Sequence, residues 1–183
     1  MQDPDLNLVD QAQRGDKTAL AKLVDQYYKM VYALCYGVLH QREEAQDITQ
    51  EIFIKVSRVL QTFERQSKFK TWLYRLTINA AIDAARRRKP YIPIDEIPLE
   101  TPRTHGPREQ ASSAELSLLV RQALQNLSVE HRAVLILREW QDLSYEEIAQ
   151  VLGIEIGTVM SRIHYARKKL AESLHLSPEE VME

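Results

Sequence analysis

Apolar positions recur along the first half of the chain with the spacing of α-helices. The pattern predicts a short helix over residues 8–15, a second that runs through residue 39, and a third over about 42–60. Asp16 precedes the second helix and is predicted to cap it, because its carboxylate can accept amide hydrogens of the first turn. A fourth helix is predicted from residue 69 to Pro90, after a polar loop.

The fourth helix, FKTWLYRLTINAAIDAARRRKP, does not keep its apolar residues on one side. On a helical wheel one side carries Trp72, Arg75, Asn79 and Arg86, and another carries Leu73, Leu76, Ala80 and Ala84, which can pack inward. Aromatic and guanidinium planes stack on unpaired bases, an amide can bond a base edge, and cations hold the phosphate backbone. The first side therefore suits single-stranded DNA, although a core tryptophan and favourable charge at a helix end also fit the pattern.

The second half of the chain ends in a predicted helix-turn-helix. An amphipathic helix over residues 116–127 is followed by Ser128, which can cap a helix that continues through Trp140. In residues 143–170 Ser144 and Glu147 have capping-box spacing, and Gly153 supplies the left-handed turn before a helix that begins near Gly157.

The last predicted helix separates an apolar seam from a polar face. The seam is formed by Ile156, Val159, Ile163, Ala166 and Leu170. The polar face and its flanks could reach base edges and phosphates in a major groove. The candidate residues are Thr158, Ser161, Arg162, His164, Tyr165, Arg167 and Lys168. An ordinary helical hairpin with a solvated basic face is the alternative.

Proline divides the chain into two helical parts. Five of the seven prolines fall at positions 90, 93, 98, 102 and 107, where each lacks an amide donor and disfavours helix in its predecessor. We therefore predict an all-α protein with two small helical domains joined by an extended proline-rich linker. The predicted domains are residues 1–90 and 116–176, with the linker at 91–115 and an acidic tail at 177–183. The linker is either a flexible tether or a strap that lies on another surface.

Charge and composition narrow the function classes. The net charge is −2, and basic residues exceed acidic ones only in residues 1–90, so contacts with a polyanion must be local. No apolar run approaches the roughly 18 residues of a membrane span, and the polar start does not resemble a signal peptide, so a cytoplasmic protein is expected.

The sequence shows no recognisable catalytic, metal-binding or disulfide motif. The single cysteine, Cys35, lies in an apolar run and is predicted to be a core residue; it cannot form an internal disulfide or a cysteine-rich zinc site. The five histidines lack metal-ligand spacing, and phosphate-binding loops, HExxH and nucleophile elbows are missing. We expect no enzyme activity, no metal and no cofactor.

Three segments in this order resemble a known family. LSYEEIAQVLGIEIGTVMSRIHYARKKL (143–170) resembles region 4 of extracytoplasmic-function (ECF, group IV) sigma factors, DITQEIFIKV (47–56) resembles their region 2.2, and FKTWLYRLTINAAIDAARRRK (69–89) resembles regions 2.3 and 2.4. The resemblance implies a promoter-specificity subunit of bacterial RNA polymerase. Its first domain would recognise the −10 element and promote melting, its second would recognise the −35 element, and its linker would thread through polymerase.

The resemblance also implies partners. Asp47, Gln50 and Glu51 would dock on the coiled coil of the polymerase β′ subunit, and the second domain would contact the β flap. An anti-sigma factor would hold the chain inactive between its two domains, and a membrane-anchored one would keep it at the inner face of the membrane.

The resemblance further assigns −10 contacts to the fourth helix and the preceding loop. A base flipped from the non-template strand would enter a pocket that involves Lys68, Phe69, Tyr74 and Asn79, and binding there would offset the few kcal/mol of unstacking. The full set of implied −10 contacts is Lys68, Phe69, Lys70, Trp72, Tyr74, Arg75, Asn79, Arg86 and Arg87.

Two positions depart from the family pattern. Met160 and Tyr165 stand where the family often has basic residues, which should reduce phosphate contact, while Tyr165 could contact a thymine methyl or a sugar.

A stand-alone dimeric helix-turn-helix regulator is the rival function. It would explain residues 143–170, but it leaves residues 71–79 and the acidic face of the third helix without a role.

Overall fold

The computed structural model describes residues 3–87 and 113–174, with side chains from residue 119 onward in the second range. Within these ranges the protein is all-α, as predicted, and has two helical bodies. Arg88, Lys89, the predicted linker up to residue 112 and the acidic tail lie outside the described residues, whereas the last three predicted linker residues, 113–115, are helical.

The N-terminal body contains four helices: α1 (Leu6–Gln13), α2 (Lys17–Leu39), α3 (Arg42–Val59) and α4 (Phe69–Arg87). A short 3-10 turn, Leu60–Thr62, extends α3. Asp16 caps α2 as predicted, since its carboxylate accepts from the amides of Thr18 and Ala19 at 2.8 and 3.2 Å. The buried stripes of the helices meet in a core whose largest members include Leu23, Ile52, Phe69 and Leu73.

Cys35 lies in this core and is fully buried, as the sequence predicted. Burial raises the pKa of its thiol to about 11, because a thiolate is poorly solvated among apolar side chains.

The C-terminal body contains α5 (Ser113–Gln125), α6 (Val129–Leu135), a π-helical segment (Ile136–Trp140), α7 (Tyr145–Leu152) and α8 (Ile156–Leu174). The predicted signals for the turn are all in place. Ser144 and Glu147 form the reciprocal capping box, and Gly153 ends α7 with a left-handed φ of 66°. Helices α7 and α8 thus form the predicted helix-turn-helix.

The two bodies share one apolar cluster. Side chains of α2 and α4 pack with side chains of α6, the π-helical segment, α7 and α8. From the N-terminal body the cluster takes Leu34, Val38, Tyr74, Ile78 and Ala81, and from the C-terminal body it includes Val134, Ile136, Leu137 and Ile148. The two predicted domains therefore pack directly against each other.

Candidate nucleic-acid and polymerase interfaces

Helix α4 has three faces with different surroundings. Leu73 and Ala84 are buried in the core of the N-terminal body, with Leu76 and Ala80 packed against them, as predicted. A second face, with Tyr74, Ile78 and Ala81, is buried against the C-terminal body. This second contact explains why the apolar residues of the helix do not keep to one side, and the sequence analysis did not foresee it.

The third face of α4 is open to solvent, and we call it the α4 flank: Trp72, Arg75, Asn79, Asp83 and Arg86. Arg75 and Asn79 are exposed, whereas Trp72 is half-buried. The Trp72 ring packs against Phe63 and Phe69, with centroid distances of 5.4 and 5.7 Å. The core thereby fixes one part of the indole. Stacking on a base would therefore cost the Trp72 side chain little further conformational entropy.

The start of α4 is held by the N-terminal segment of the chain. Asp3 accepts a hydrogen bond from the Phe69 amide at 2.7 Å, which satisfies a free donor at the helix N-terminus. The Gln13 amide donates to the carbonyls of Leu60 and Phe63 at 2.9 and 3.2 Å, and Asp10 pairs with Arg65 in the loop. The loop that leads into α4 is therefore fixed to α1.

A buried carboxylate joins the same segment to α2. Asp5 is buried, and it accepts hydrogen bonds from the Tyr27 hydroxyl and from the Gln26 amide, the latter at 2.7 Å. Burial and then the bonded Asp5 carboxylate raise the pKa of Tyr27 above its usual range, because both disfavour a phenolate.

The predicted base pocket is not assembled in this conformation. Lys68 and Asn79 are exposed, but Phe69 lies in the core of the N-terminal body beside Tyr27, at a centroid distance of 5.6 Å. Tyr74 lies in the shared cluster, and its hydroxyl donates to Gln141 Oε1 at 2.8 Å. Phe69 and Tyr74 are therefore both inaccessible to a base in this arrangement of the helices.

The cations around α4 differ in their surroundings. Lys68, Lys70, Arg75 and Arg87 are exposed, and Lys70 Nζ lies 5.5 Å from the centroid of the Tyr74 ring. Arg86 instead pairs with Glu130 of α6, at 2.8 Å between Nη2 and Oε1. Burial raises the pKa of the Glu130 carboxyl, but the hydrogen bonds from Arg86, a backbone amide and Ser128, together with the Arg86 charge, outweigh burial and lower that pKa.

Helix α3 presents a mixed acidic and apolar surface, which we call the α3 face: Asp47, Gln50, Glu51 and Ile54. The first three were predicted from the family resemblance, and all three side chains are exposed. Ile54 follows them at helical spacing and is 52% exposed, which is unusual for isoleucine. Ile54 was not predicted to belong to this surface, although its position one turn after Gln50 was a usable signal.

The outer side of α8 carries the predicted DNA-contact residues, which we call the α8 face. Ser161, His164, Tyr165 and Lys168 are exposed, while Thr158, Arg162 and Arg167 are partly buried at its edges. The predicted seam is buried at Val159, Ile163 and Ala166. Ile156 was wrongly assigned to the seam: it lies in the first turn of α8 and is 41% exposed.

Two members of the α8 face are tied to other helices. Arg167 donates two hydrogen bonds to Glu139, at 2.7 and 3.1 Å. The Tyr165 ring lies 4.5 Å from the His131 ring, at one end of an open cavity of about 470 Å³ between α6 and α8. Burial and then the Arg162 charge lower the pKa of His131, so this contact is made by a neutral imidazole at pH 7.

In residues 3–87 and 113–174, histidine, cysteine and carboxylate side chains form no group of three that could hold a metal ion. In the same ranges each helix is too short or too polar to span a bilayer.

Comparison with known proteins gives the family. The sigma-70 region 2 family matches residues 23–91, and the sigma-70 region 4 family matches residues 117–170. The ECF RNA polymerase sigma factor SigW of Bacillus subtilis is 36% identical over 179 residues, which cover 91% of this chain and 94% of SigW. The chain belongs to the ECF sigma factors. The helix-turn-helix of this sigma factor accordingly lies in region 4, and the α4 flank and α3 face lie in region 2.

Two solved structures share the fold of this chain. CnrH, solved in complex with the cytosolic domain of CnrY, superposes with a TM-score of 0.71 at 25% identity, covering 93% of this chain and 97% of CnrH. RpoE from Bartonella quintana, solved with the anti-sigma factor NepR, gives a TM-score of 0.66 at 25% identity, covering 86% and 97% of the two chains.

Proposed function

We propose that this ECF sigma factor binds core RNA polymerase through the α3 face and directs it to promoters through two DNA contacts. The α4 flank, with Lys68, Lys70 and Arg87 beside it, binds the unpaired non-template strand of the −10 element. The α8 face binds the −35 element as duplex. Promoter opening proceeds by trapping of unpaired bases, with no nucleotide hydrolysis by this chain.

One observation carries the proposal: α4 buries two faces and leaves a third open with an aromatic edge, a guanidinium and an amide. Arg75 and Asn79 are exposed, and Trp72 is fixed beside them by Phe63 and Phe69. A fixed indole offers a stacking surface, and an exposed amide can bond a base edge without first breaking a bond within the protein.

The other two surfaces support the same assignment. The α8 face lies on the second helix of a helix-turn-helix, which is the element that enters a major groove. The α3 face combines the carboxylates of Asp47 and Glu51 with the exposed Ile54. Carboxylates guide the approach of a basic partner, and a central apolar side chain supplies burial once contact is made.

Run-off transcription with core polymerase tests this function. Promoters from the same genome should give transcripts only when both the chain and core polymerase are present. Asn79→Ala should lower opening on duplex templates, and Arg162→Ala should weaken discrimination at the −35 element. A chain that footprints a palindromic site without polymerase would be a stand-alone regulator, which would refute the proposal.

We further propose control by a membrane-anchored anti-sigma factor, which would hold the cytoplasmic chain at the inner face of the membrane. The complex of RpoE with the anti-sigma factor NepR supports control by an anti-sigma factor, since the match to that sigma factor covers 86% of this chain. The chain purified from native cells should carry a stoichiometric inhibitor, and it should sediment with membranes until the inducing signal. Isolation of the chain free of any inhibitory protein would contradict control by an anti-sigma factor. An inhibitor that does not sediment with membranes would contradict the anchoring.

A further inference from the structure

The first two turns of α8 expose apolar side chains beside the polar α8 face. Met160 is 52% exposed and Ile156 is 41% exposed, whereas Val159 and Ile163 on the inner side of the helix are buried. Ile156 and Met160 are four residues apart, so they lie on one side of α8, about 6 Å apart along its axis. They form a small apolar surface, which we call the α8 edge. The exposed parts of both side chains contribute nothing to the core, so the fold does not account for them.

The α8 edge lies at the end of the helix that reads bases. Helix α8 begins at Ile156 and is the second helix of the helix-turn-helix. In this motif the N-terminal residues of the second helix contact base edges in the major groove, while contacts with phosphates position the motif. If α8 binds the −35 element as proposed above, Ile156 and Met160 therefore face bases.

Gly157, which lies between the two residues of the α8 edge, favours a close approach from outside. Its backbone does not have the left-handed φ that favours glycine. A Cβ atom at this position would meet no neighbouring part of the described residues within 4 Å. The fold therefore does not require glycine here, although glycine weakens a helix relative to alanine. The missing side chain instead lets an external surface, such as the floor of a groove, approach the backbone of the first turn.

The chemistry of the α8 edge favours one group of the major groove. Arg167, seven residues after Met160 and on the same side, donates two hydrogen bonds to Glu139, and its side chain is only 23% exposed. Its charge is thus held within the protein. Apolar side chains placed against a base edge leave the hydrogen-bonding groups of that edge without partners, which is costly. The C5 methyl group of thymine is the part of the groove that such side chains cover favourably.

We propose that Met160, with Ile156 beside it, reads thymine methyl groups in the −35 element and so determines part of its sequence. The proposal rests on the proposed function, because it requires that α8 binds the −35 duplex. The unbranched methionine side chain can adapt to a methyl group on either strand. Since Ile156 and Met160 are about 6 Å apart along α8, they contact base pairs one or two steps apart.

Replacement of thymine by uracil in the −35 element tests this contact. Uracil lacks only the C5 methyl group and keeps each hydrogen-bonding group of thymine. The probe is a labelled duplex promoter from the same genome that gives run-off transcripts, with uracil in the −35 element alone. Holoenzyme of core polymerase and the wild-type chain should bind the uracil duplex about fourfold more weakly for each methyl group that is covered.

Variants of Met160 assign the effect to this side chain. Met160→Leu keeps an apolar side chain and should still bind the thymine duplex more tightly than the uracil duplex. Met160→Gln, of similar length but polar, should bind the two duplexes equally, or with only the preference that Ile156 supplies. Both variants meet the same DNA, so a change in duplex flexibility on loss of the methyl group would affect them alike. Lys168→Ala, which removes an exposed cation of the α8 face, should weaken binding to both duplexes by the same factor.

The outcomes separate this proposal from the proposed function. Equal affinity of the wild-type holoenzyme for the thymine and uracil duplexes would overturn the reading of methyl groups. So would a thymine preference that Met160→Gln retains in full. Either result would leave the proposed function intact if a scrambled −35 element still weakens binding. A holoenzyme that binds the scrambled and native −35 elements equally would refute the −35 contact itself, and with it the proposed function of α8.

Discussion

The exposed isoleucine of the α3 face gives a prediction that separates polymerase binding from folding. Ile54 lies beside Glu51 and is 52% exposed in the free chain. If polymerase covers this face, Ile54→Ala should weaken the affinity for core polymerase. The fold should be little affected, because the exposed half of the side chain contributes nothing to the core of the N-terminal body.

The size of the effect follows from the exposed fraction. Complete burial of an isoleucine side chain is worth about 1.5–3 kcal/mol. About half of the Ile54 surface remains to be buried on binding, so roughly 0.8–1.5 kcal/mol of binding free energy depends on it. Since 1.4 kcal/mol is a tenfold change in Kd, the affinity should fall about four- to tenfold.

Competition against a labelled sigma factor for core polymerase measures this change without DNA. Met160→Ala is the matched control, because Met160 is also 52% exposed but lies on the DNA side of α8. Ile54→Ala should lose affinity while Met160→Ala does not. Equal affinities for the two variants would refute the assignment of the α3 face, and a drop in thermal midpoint for Ile54→Ala would show that the fold had been disturbed.

Three further predictions concern the fold. Folding raises the pKa of Cys35 from 9.0 to about 11, so between pH 9 and 11 the thiol ionises in the unfolded chain but not in the folded one. The free energy of unfolding should therefore fall as pH rises from 9 to 11, by up to about 2–3 kcal/mol more than in Cys35→Ala. Urea unfolding measures this, and the same pH dependence in Cys35→Ala and the wild type would contradict it. Ser144→Ala removes one bond of the capping box and should cost about 1 kcal/mol in urea unfolding, whereas Ser57→Ala, an exposed change in the last turn of α3, should not. Tyr27→Phe leaves the buried Asp5 carboxylate short of a donor and should cost about 1–3 kcal/mol by the same measurement, with an unchanged midpoint as the contrary result.

Local signals in the sequence were sufficient for the individual helices. Asp16, Ser144 and Gly153 act within one or two turns, so their roles depend on their own neighbours along the chain, and the structure confirms all three. The inward set of α4 was also predictable, because Leu73 and Ala84 repeat at helical spacing.

The contact between the bodies could not be predicted from periodicity. A wheel shows which residues of α4 share a side, but it does not distinguish a side that faces solvent from one that faces another domain. The family resemblance assigned Tyr74 to DNA, and the wheel gave no sign that in this structure Tyr74 is buried and bonded to Gln141. Gly37 carried the missing signal, because glycine in the interior of a helix implies a close neighbour.

The exposure of charged surface residues was predicted better than the exposure of apolar ones. Asp47 and Glu51 were singled out on α3, while Ile54 was not. Ile156 was misassigned in the opposite sense, since an apolar residue in the first turn of α8 lies ahead of its partner helix. In both cases the sequence shows an apolar residue, but whether that residue is buried depends on tertiary packing.

Promoter melting by the α4 flank is the central claim, and permanganate footprinting of unpaired thymines on a duplex promoter tests it most directly. Asn79 is exposed, so Asn79→Ala should leave the fold intact. Holoenzyme with Asn79→Ala should still protect the −35 element but should lose reactivity at −10 by roughly fivefold or more, since one base contact is worth about 1–3 kcal/mol. Asn126→Ala, an equally exposed change in the C-terminal body, should melt the promoter normally. Full melting by Asn79→Ala would contradict the account.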